Sequence, residues 1–112
     1  MKENNEYIET QAVLDTIDVI GGKWKFPIIC SLSQGTKRFK ELENDLKGIS
    51  PKALSNALKE LEINGLINRE VFPTVPITVE YSLTSYGKDL RPMLLALQEW
   101  GKKHREKVKN SK

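Results

Sequence analysis

A chain of 112 residues, 38% hydrophobic, with one cysteine and a formal net charge of +3, suits a single domain with a modest core. It excludes an intramolecular disulfide, and no apolar run approaches the roughly 18 residues that span a bilayer. The lone Cys30 and a polar, acidic start (Met1–Glu6) without a signal-peptide core fit a reducing cytoplasm.

Thr10 to about Ile20 places Val13, Leu14, Ile17 and Ile20 on one stripe and ends at Gly21-Gly22, which predicts a helix with a glycine C-cap. Trp24 to about Leu32 is apolar on most sides, which predicts a buried helix with Pro27 near its start and Gly35 as its stop. Cys30 lies in this run and is expected to act as a small buried hydrophobe, since burial disfavours the thiolate. Phe39 to about Leu46 predicts a short helix with Phe39, Leu42 and Leu46 facing inward.

The next element is the most informative. Ser50 is a good N-cap and Pro51 occupies the first helical position, where a missing N–H costs nothing. Leu54, Ala57, Leu58 and Leu61 fall at i, i+3, i+4, i+7 and make a docking stripe. Lys52, Ser55, Asn56 and Lys59 fall on the other side. Short hydrogen-bonding groups flanked by lysines suit a helix that lies in a groove and reads base edges, although a plain solvated face has the same composition.

Two alternating runs follow, Ile67–Phe72 and Ile77–Leu83, with Ile77, Val79, Tyr81 and Leu83 on one face of the second. Pro73-Thr74-Val75-Pro76 joins them and predicts a stiff hairpin tip. Thr84 can cap a last helix that runs to roughly Lys107, with Leu90, Met93, Leu94, Leu97, Trp100 and His104 as its stripe. Pro92 inside that pattern predicts either a kink or a late start.

Together these elements predict an α+β, mainly helical chain: a winged helix-turn-helix with a two-stranded β-hairpin wing and N- and C-terminal dimerisation helices. It forms one domain over residues 1–112, including a polar extension at 1–8 and a basic tail at 102–112. Residues 39–46 and 51–64 would form the helix-turn-helix pair, joined through Lys47-Gly48-Ile49. Charge supports the reading locally rather than globally. Residues 102–112 hold six bases and one acid, residues 1–20 one base and five acids, and residues 21–59 eight bases and three acids. The positive charge gathers around the proposed reading helix, as a phosphate footprint requires.

Roles follow from this placement. Ser55 and Asn56, with Lys52 and Lys59, would face the major groove, Asn pairing with adenine and Lys with guanine. Lys37 and Arg38 open the first helix of the pair and would hold phosphates, with surface charge as the plain alternative. The N–H groups near Ser50 would add a phosphate contact through the helix dipole. Arg69 and the tip with Thr74 would supply the wing contact. Ile17, Leu94, Leu97 and Trp100 would meet a second copy, unless both terminal helices simply cap the monomer core.

The residues also resemble a known family. Asp18-Val19-Ile20-Gly21-Gly22-Lys23-Trp24, Lys37-Arg38-Phe39-Lys40-Glu41-Leu42, Gly48–Ser55, Leu58–Ile67 and Val79–Gly87 are similar to the HxlR-type bacterial winged-helix regulators. The resemblance spans roughly Val13 to Gly101. It implies a homodimeric, MarR-like repressor or activator on a pseudo-palindromic operator in double-stranded DNA. Many members that sense electrophiles or oxidants carry a cysteine followed by proline in or just before the first helix. Here that stretch is Thr10-Gln11-Ala12-Val13, without a thiol, so Cys30 is the sole candidate for a redox role and any small-molecule or redox effector is unidentified.

Catalysis finds little support in the sequence. The single histidine, His104, sits in the basic tail, and neither metal-ligand spacing, a nucleophile set nor a phosphate-cradling glycine loop is present. No enzyme activity, cofactor or membrane partner is expected. The remaining rival is a winged-helix module that binds protein without specific DNA contact; its reading-helix face should show large apolar groups in place of Lys, Ser, Asn and Lys.

Overall fold

Side-chain caps at Ser50 and Thr84 fix the starts of two helices, and apolar spacing decides which side the elements bury. The computed structural model describes residues 7–111; the acidic stretch Met1–Glu6 and Lys112 of the basic tail lie outside the described residues. In chain order the elements are α1 (Thr10–Ile20), α2 (Lys25–Leu32), β1 (Lys37–Arg38), α3 (Phe39–Asp45), α4 (Pro51–Ile63), β2 (Ile67–Phe72), β3 (Thr78–Leu83), α5 (Ser85–Lys88) and α6 (Arg91–Asn110). The last turn of α1 closes where the Gly21 N–H donates to the Ile17 carbonyl at 2.6 Å. Gly48 in the α3–α4 turn has φ +92°, a left-handed conformation that a side chain would strain.

The core gathers one face of each element. Ile28, Ile29 and Leu32 from α2 meet Leu42 from α3, Leu54, Leu58 and Leu61 from α4, and Tyr81 and Leu83 from β3. Burying a Leu or Ile side chain is worth about 1.5–3 kcal/mol, so this cluster is the principal stabilising feature. The sheet has the order β1-β3-β2 and is antiparallel throughout. Ile67 lies opposite Leu83, Arg69 opposite Tyr81 and Val71 opposite Val79, which puts this set on the core-facing side.

Several expectations are corrected. The sheet has a third strand, β1, where Lys37 pairs with Tyr81 and Arg38 with Glu80. Neither residue favours a strand, and the pairing with β3 imposes one. β3 begins at Thr78, and Ile77, expected on its inner face, is 68% exposed in the hairpin tip. Thr84 caps the four-residue α5, its hydroxyl accepting the Gly87 N–H at 2.9 Å, and not the last helix. That helix, α6, starts at Arg91 with Pro92 in its first turn, which is the expected late start, and continues to Asn110. Cys30 is exposed, because Ile28, Ile29 and Leu32 turn inward and leave it on the outer side of α2. Partial burial among neighbouring side chains still pushes its thiol pKa up, so it stays protonated at neutral pH.

The terminal helices behave differently from the rest. Leu90, Met93 and Leu94 pack against the core, but α6 has no buried residue, and Leu97 and Trp100 are open to solvent. Trp100 stacks on His104 with ring centroids 4.9 Å apart. On α1, Val13, Leu14 and Ile17 are likewise exposed, and only Ile20 is buried. Among the described residues no helix is long and apolar enough to cross a membrane.

Candidate nucleic-acid interface

The helix α4 is built as its sequence requires. The Ser50 hydroxyl oxygen accepts the Ala53 N–H at 3.0 Å, and the Ser50 carbonyl accepts the Leu54 N–H at 3.0 Å. Leu54, Ala57, Leu58 and Leu61 are all buried, whereas Lys52, Ser55, Asn56 and Lys59 are all exposed. The four proposed reading residues are therefore brought together on one free face. They offer two ammonium groups, a hydroxyl and an amide without a large apolar side chain among them.

Polar clamps hold α4 and α3 in place. Lys25 of α2 pairs with Glu60 of α4 at 2.5 Å. The Glu41 carboxylate accepts the Arg38 backbone N–H at 2.7 Å, closing the start of α3. Asp45 at the end of α3 accepts from the Lys37 ammonium at 2.5 Å and from the buried Ser31 hydroxyl at 2.6 Å. These hydrogen bonds, the Lys37 one foremost, hold the Asp45 carboxyl below its ordinary pKa. One carboxylate thus ties α2, β1 and α3 together.

That clamp changes the reading of the cations. Lys37, expected on phosphate, is committed to Asp45 and has a further contact to Gln34 at 3.3 Å. Arg38 remains largely exposed, with only a loose approach to Glu80 at 4.0 Å. Lys40 and Lys47 are exposed beside α3 and stay available to a polyanion. Neither the Lys25 nor the Lys37 pair is legible in the sequence, since Glu60 lies far along the chain from Lys25 and Lys37 meets Asp45 across the strand-to-helix junction and not at a helical spacing.

The wing is polarised. Arg69 is exposed and lies in register with Tyr81, on the side of the sheet that packs against the helices. Glu70 faces Glu80 across β2 and β3, and Arg38 of β1 lies beside Glu80 on that same side, so the other side carries two carboxylates partly offset by one cation. At the tip, the Thr74 hydroxyl donates to the Pro76 carbonyl at 2.7 Å and lies 3.0 Å from the Thr78 hydroxyl. Thr74 therefore shapes the tip, and its oxygen is the acceptor for Thr78. Val75 is completely exposed. Among the described residues no group of three or more His, Cys, Asp or Glu side chains could hold a metal ion.

Comparison with known proteins agrees with this architecture. Residues 19–109 match the model of the HxlR-like helix-turn-helix family. An uncharacterized HTH-type transcriptional regulator of Methanothermobacter thermautotrophicus is 44% identical over 108 residues, covering 96% of this chain and 81% of that protein. The redox regulator HypR in its reduced form superposes with a TM-score of 0.83 at 41% identity, covering 88% of this chain and 98% of HypR. A protein of Enterococcus faecalis assigned to the MarR family of transcriptional regulators superposes with a TM-score of 0.79 at 36% identity, covering 93% of this chain and 94% of its own. With a family match over most of its length and relatives of this similarity, the chain belongs to the HxlR-like helix-turn-helix family of transcriptional regulators.

Proposed function

We propose that the protein is a cytoplasmic, sequence-specific DNA-binding regulator that acts as a homodimer on a pseudo-palindromic operator, with no catalytic role. The observation that carries this reading is the two-sidedness of α4, whose apolar stripe is wholly buried and whose Lys52, Ser55, Asn56 and Lys59 face is wholly free. Asn56 and Ser55 read base edges in the major groove, and Lys52 and Lys59 bond guanine or adjacent phosphates. Arg38, Lys40 and Lys47 hold the backbone, with Lys37 contributing mainly by ordering the turn through Asp45. Phosphate also meets the N–H groups at Ser50, and the Arg69 side of the wing enters the neighbouring groove. The single domain over residues 1–112 ends in a basic tail that adds sequence-independent attraction.

The dimer reading rests on unburied apolar stripes. Ile17 is 54% exposed, Leu97 49% and Trp100 67%, an arrangement that leaves two helices half-solvated in a lone protomer. A two-fold pairing of α1 and α6 with those of a second copy would cover them and set the two α4 helices about 34 Å apart, one turn of DNA. Leu94 contributes from below, since it already packs on its own core.

The test is fluorescence anisotropy with the upstream intergenic DNA and a scrambled duplex at two salt concentrations. Preference for the upstream DNA, with a loss of about 10³–10⁵ in affinity between 50 and 200 mM salt for roughly six to ten phosphate contacts, is the expected result. Absence of binding at low salt would overturn the reading in favour of a protein-binding winged helix.

A further inference from the structure

Burial of Leu54, Leu58 and Leu61 against Ile28 and Ile29 of α2 decides which side of α4 faces the core. Such contacts carry no direction, so by themselves they leave the helix free to settle a few degrees either way about its axis. One polar contact does carry direction. Of the ion pairs found among the described residues, Lys25–Glu60, Lys37–Asp45 and Arg38–Glu80, only the first reaches α4. The Lys25 ammonium lies 2.5 Å from the Glu60 carboxylate, its side chain 14% exposed against 58% for Glu60. Glu60 follows Lys59 and lies one turn beyond Asn56, on the border between the free face and the buried stripe. Its carbonyl also accepts the backbone N–H of Asn64 at 3.1 Å and the Asn64 amide at 3.0 Å, which closes the end of α4. A pull on Glu60 therefore acts on the helix as a whole. Lys25 is badly placed for its own helix. It opens α2, where the positive end of the dipole disfavours a cation, and no acidic residue in that first turn offsets it. Its partner on α4 accounts for a position that local preference opposes.

We propose that Lys25 is a positioning residue for operator recognition: its pair with Glu60 sets the rotation of α4 about its axis and so the reach of Ser55 and Asn56 to base edges. The inference rests on the DNA-reading role proposed above. Leverage follows from helix dimensions. Side-chain tips stand roughly 6 Å from the axis, so a turn of about 10° moves them by about 1 Å. A hydrogen bond to a base edge spans only about 2.7–3.2 Å, and a shift of that size spoils a paired contact by Asn56. Lys52 and Lys59 follow a phosphate through the same shift on their flexible four-carbon stems. Loss of the pair therefore lowers discrimination between sequences and spares attraction to DNA in general. A simple masking role, in which Lys25 only neutralises a carboxylate beside the groove, makes the opposite forecast: without Glu60 every duplex would bind more tightly.

The experiment compares the parent with K25M, K25R, E60A and K25M/E60A by anisotropy on the upstream intergenic DNA and the scrambled duplex, with melting temperatures read alongside. K25M and E60A should each lower the preference for the upstream DNA at least tenfold, with binding to the scrambled duplex within about twofold of the parent. The double variant should lose no more than either single one, and K25R, which keeps the pair, should retain the preference. Tighter binding of E60A to both duplexes, additive losses, or a lower melting temperature with the preference intact would overturn the positioning role. Preference intact in K25M leaves the regulator standing and removes this inference alone, whereas a parent without preference removes both.

Discussion

Replacing Ser50 separates the folding role of the α4 N-terminus from its proposed contact with phosphate. Ser50→Ala deletes the oxygen that accepts the Ala53 N–H at 3.0 Å. Loss of an N-cap costs about 0.5–2 kcal/mol, and the half-exposed Ala53 lets water replace part of the bond, which places the cost near 1 kcal/mol. For a chain of this size that is a fall of roughly 4 °C in melting temperature, read by circular dichroism at fixed protein concentration. Ser50→Asp keeps an acceptor and favours the positive end of the helix, so its melting temperature should stay at or above that of the parent. On DNA the order reverses. The aspartate sets a negative charge where a phosphate should dock, and like charges a few ångströms apart cost about 1 kcal/mol even in bulk water, so operator affinity should fall roughly fivefold for each protomer engaged. An unchanged melting temperature for Ser50→Ala would refute the capping argument. Undiminished operator affinity for Ser50→Asp would refute the phosphate assignment.

Asn56→Ala should lower discrimination at one base pair in each operator half-site by about 1–3 kcal/mol and leave affinity for random DNA unaltered, as measured by anisotropy on paired duplexes. Equal losses on both duplexes would contradict base reading by Asn56. Lys40→Ala, by contrast, should weaken all duplexes alike and flatten the salt dependence; a selective loss on the operator would argue against a backbone contact. Asp45 has a folded pKa below its unfolded value of about 3.9, so its clamp contributes in full above that value and fades as pH falls through the folded pKa. Asp45→Asn should accordingly flatten the decline of stability below about pH 4, and superimposable acid-unfolding profiles would count against the clamp. Trp100→Glu should shift the sedimentation mass from dimer to monomer, whereas an unchanged dimer mass would remove Trp100 from the interface.

The helix α4 was legible in the sequence because its cap, its proline and its apolar spacing are all local and all agree. The hairpin was legible for the same reason, through alternation in two runs with prolines between them. What the sequence concealed depends on partners distant along the chain. The strand at Lys37–Arg38 exists only because β3 lies beside it. The commitment of Lys37 to Asp45 withdraws a cation that composition alone assigns to phosphate. Cys30 was misplaced because a run apolar on most sides gives no clear inner face, and rotation about α2 was settled by Ile28, Ile29 and Leu32. The division of α5 from α6 turned on Thr84, whose hydroxyl both caps α5 and ties it to the end of α4, a long-range bond that local pattern does not reveal.

The unsupported length of α6 has a thermodynamic consequence. Helix propensity alone holds a segment of this length only marginally in water, so the part beyond Leu97 draws little stability from its own protomer. If α6 pairs with that of a second copy as proposed, association and ordering of that segment are one equilibrium, and the melting temperature should climb as total protein concentration is raised. The abundance of the protein would thereby set the fraction that carries two correctly spaced reading helices, so that a change in expression level alters operator occupancy more steeply than simple proportion.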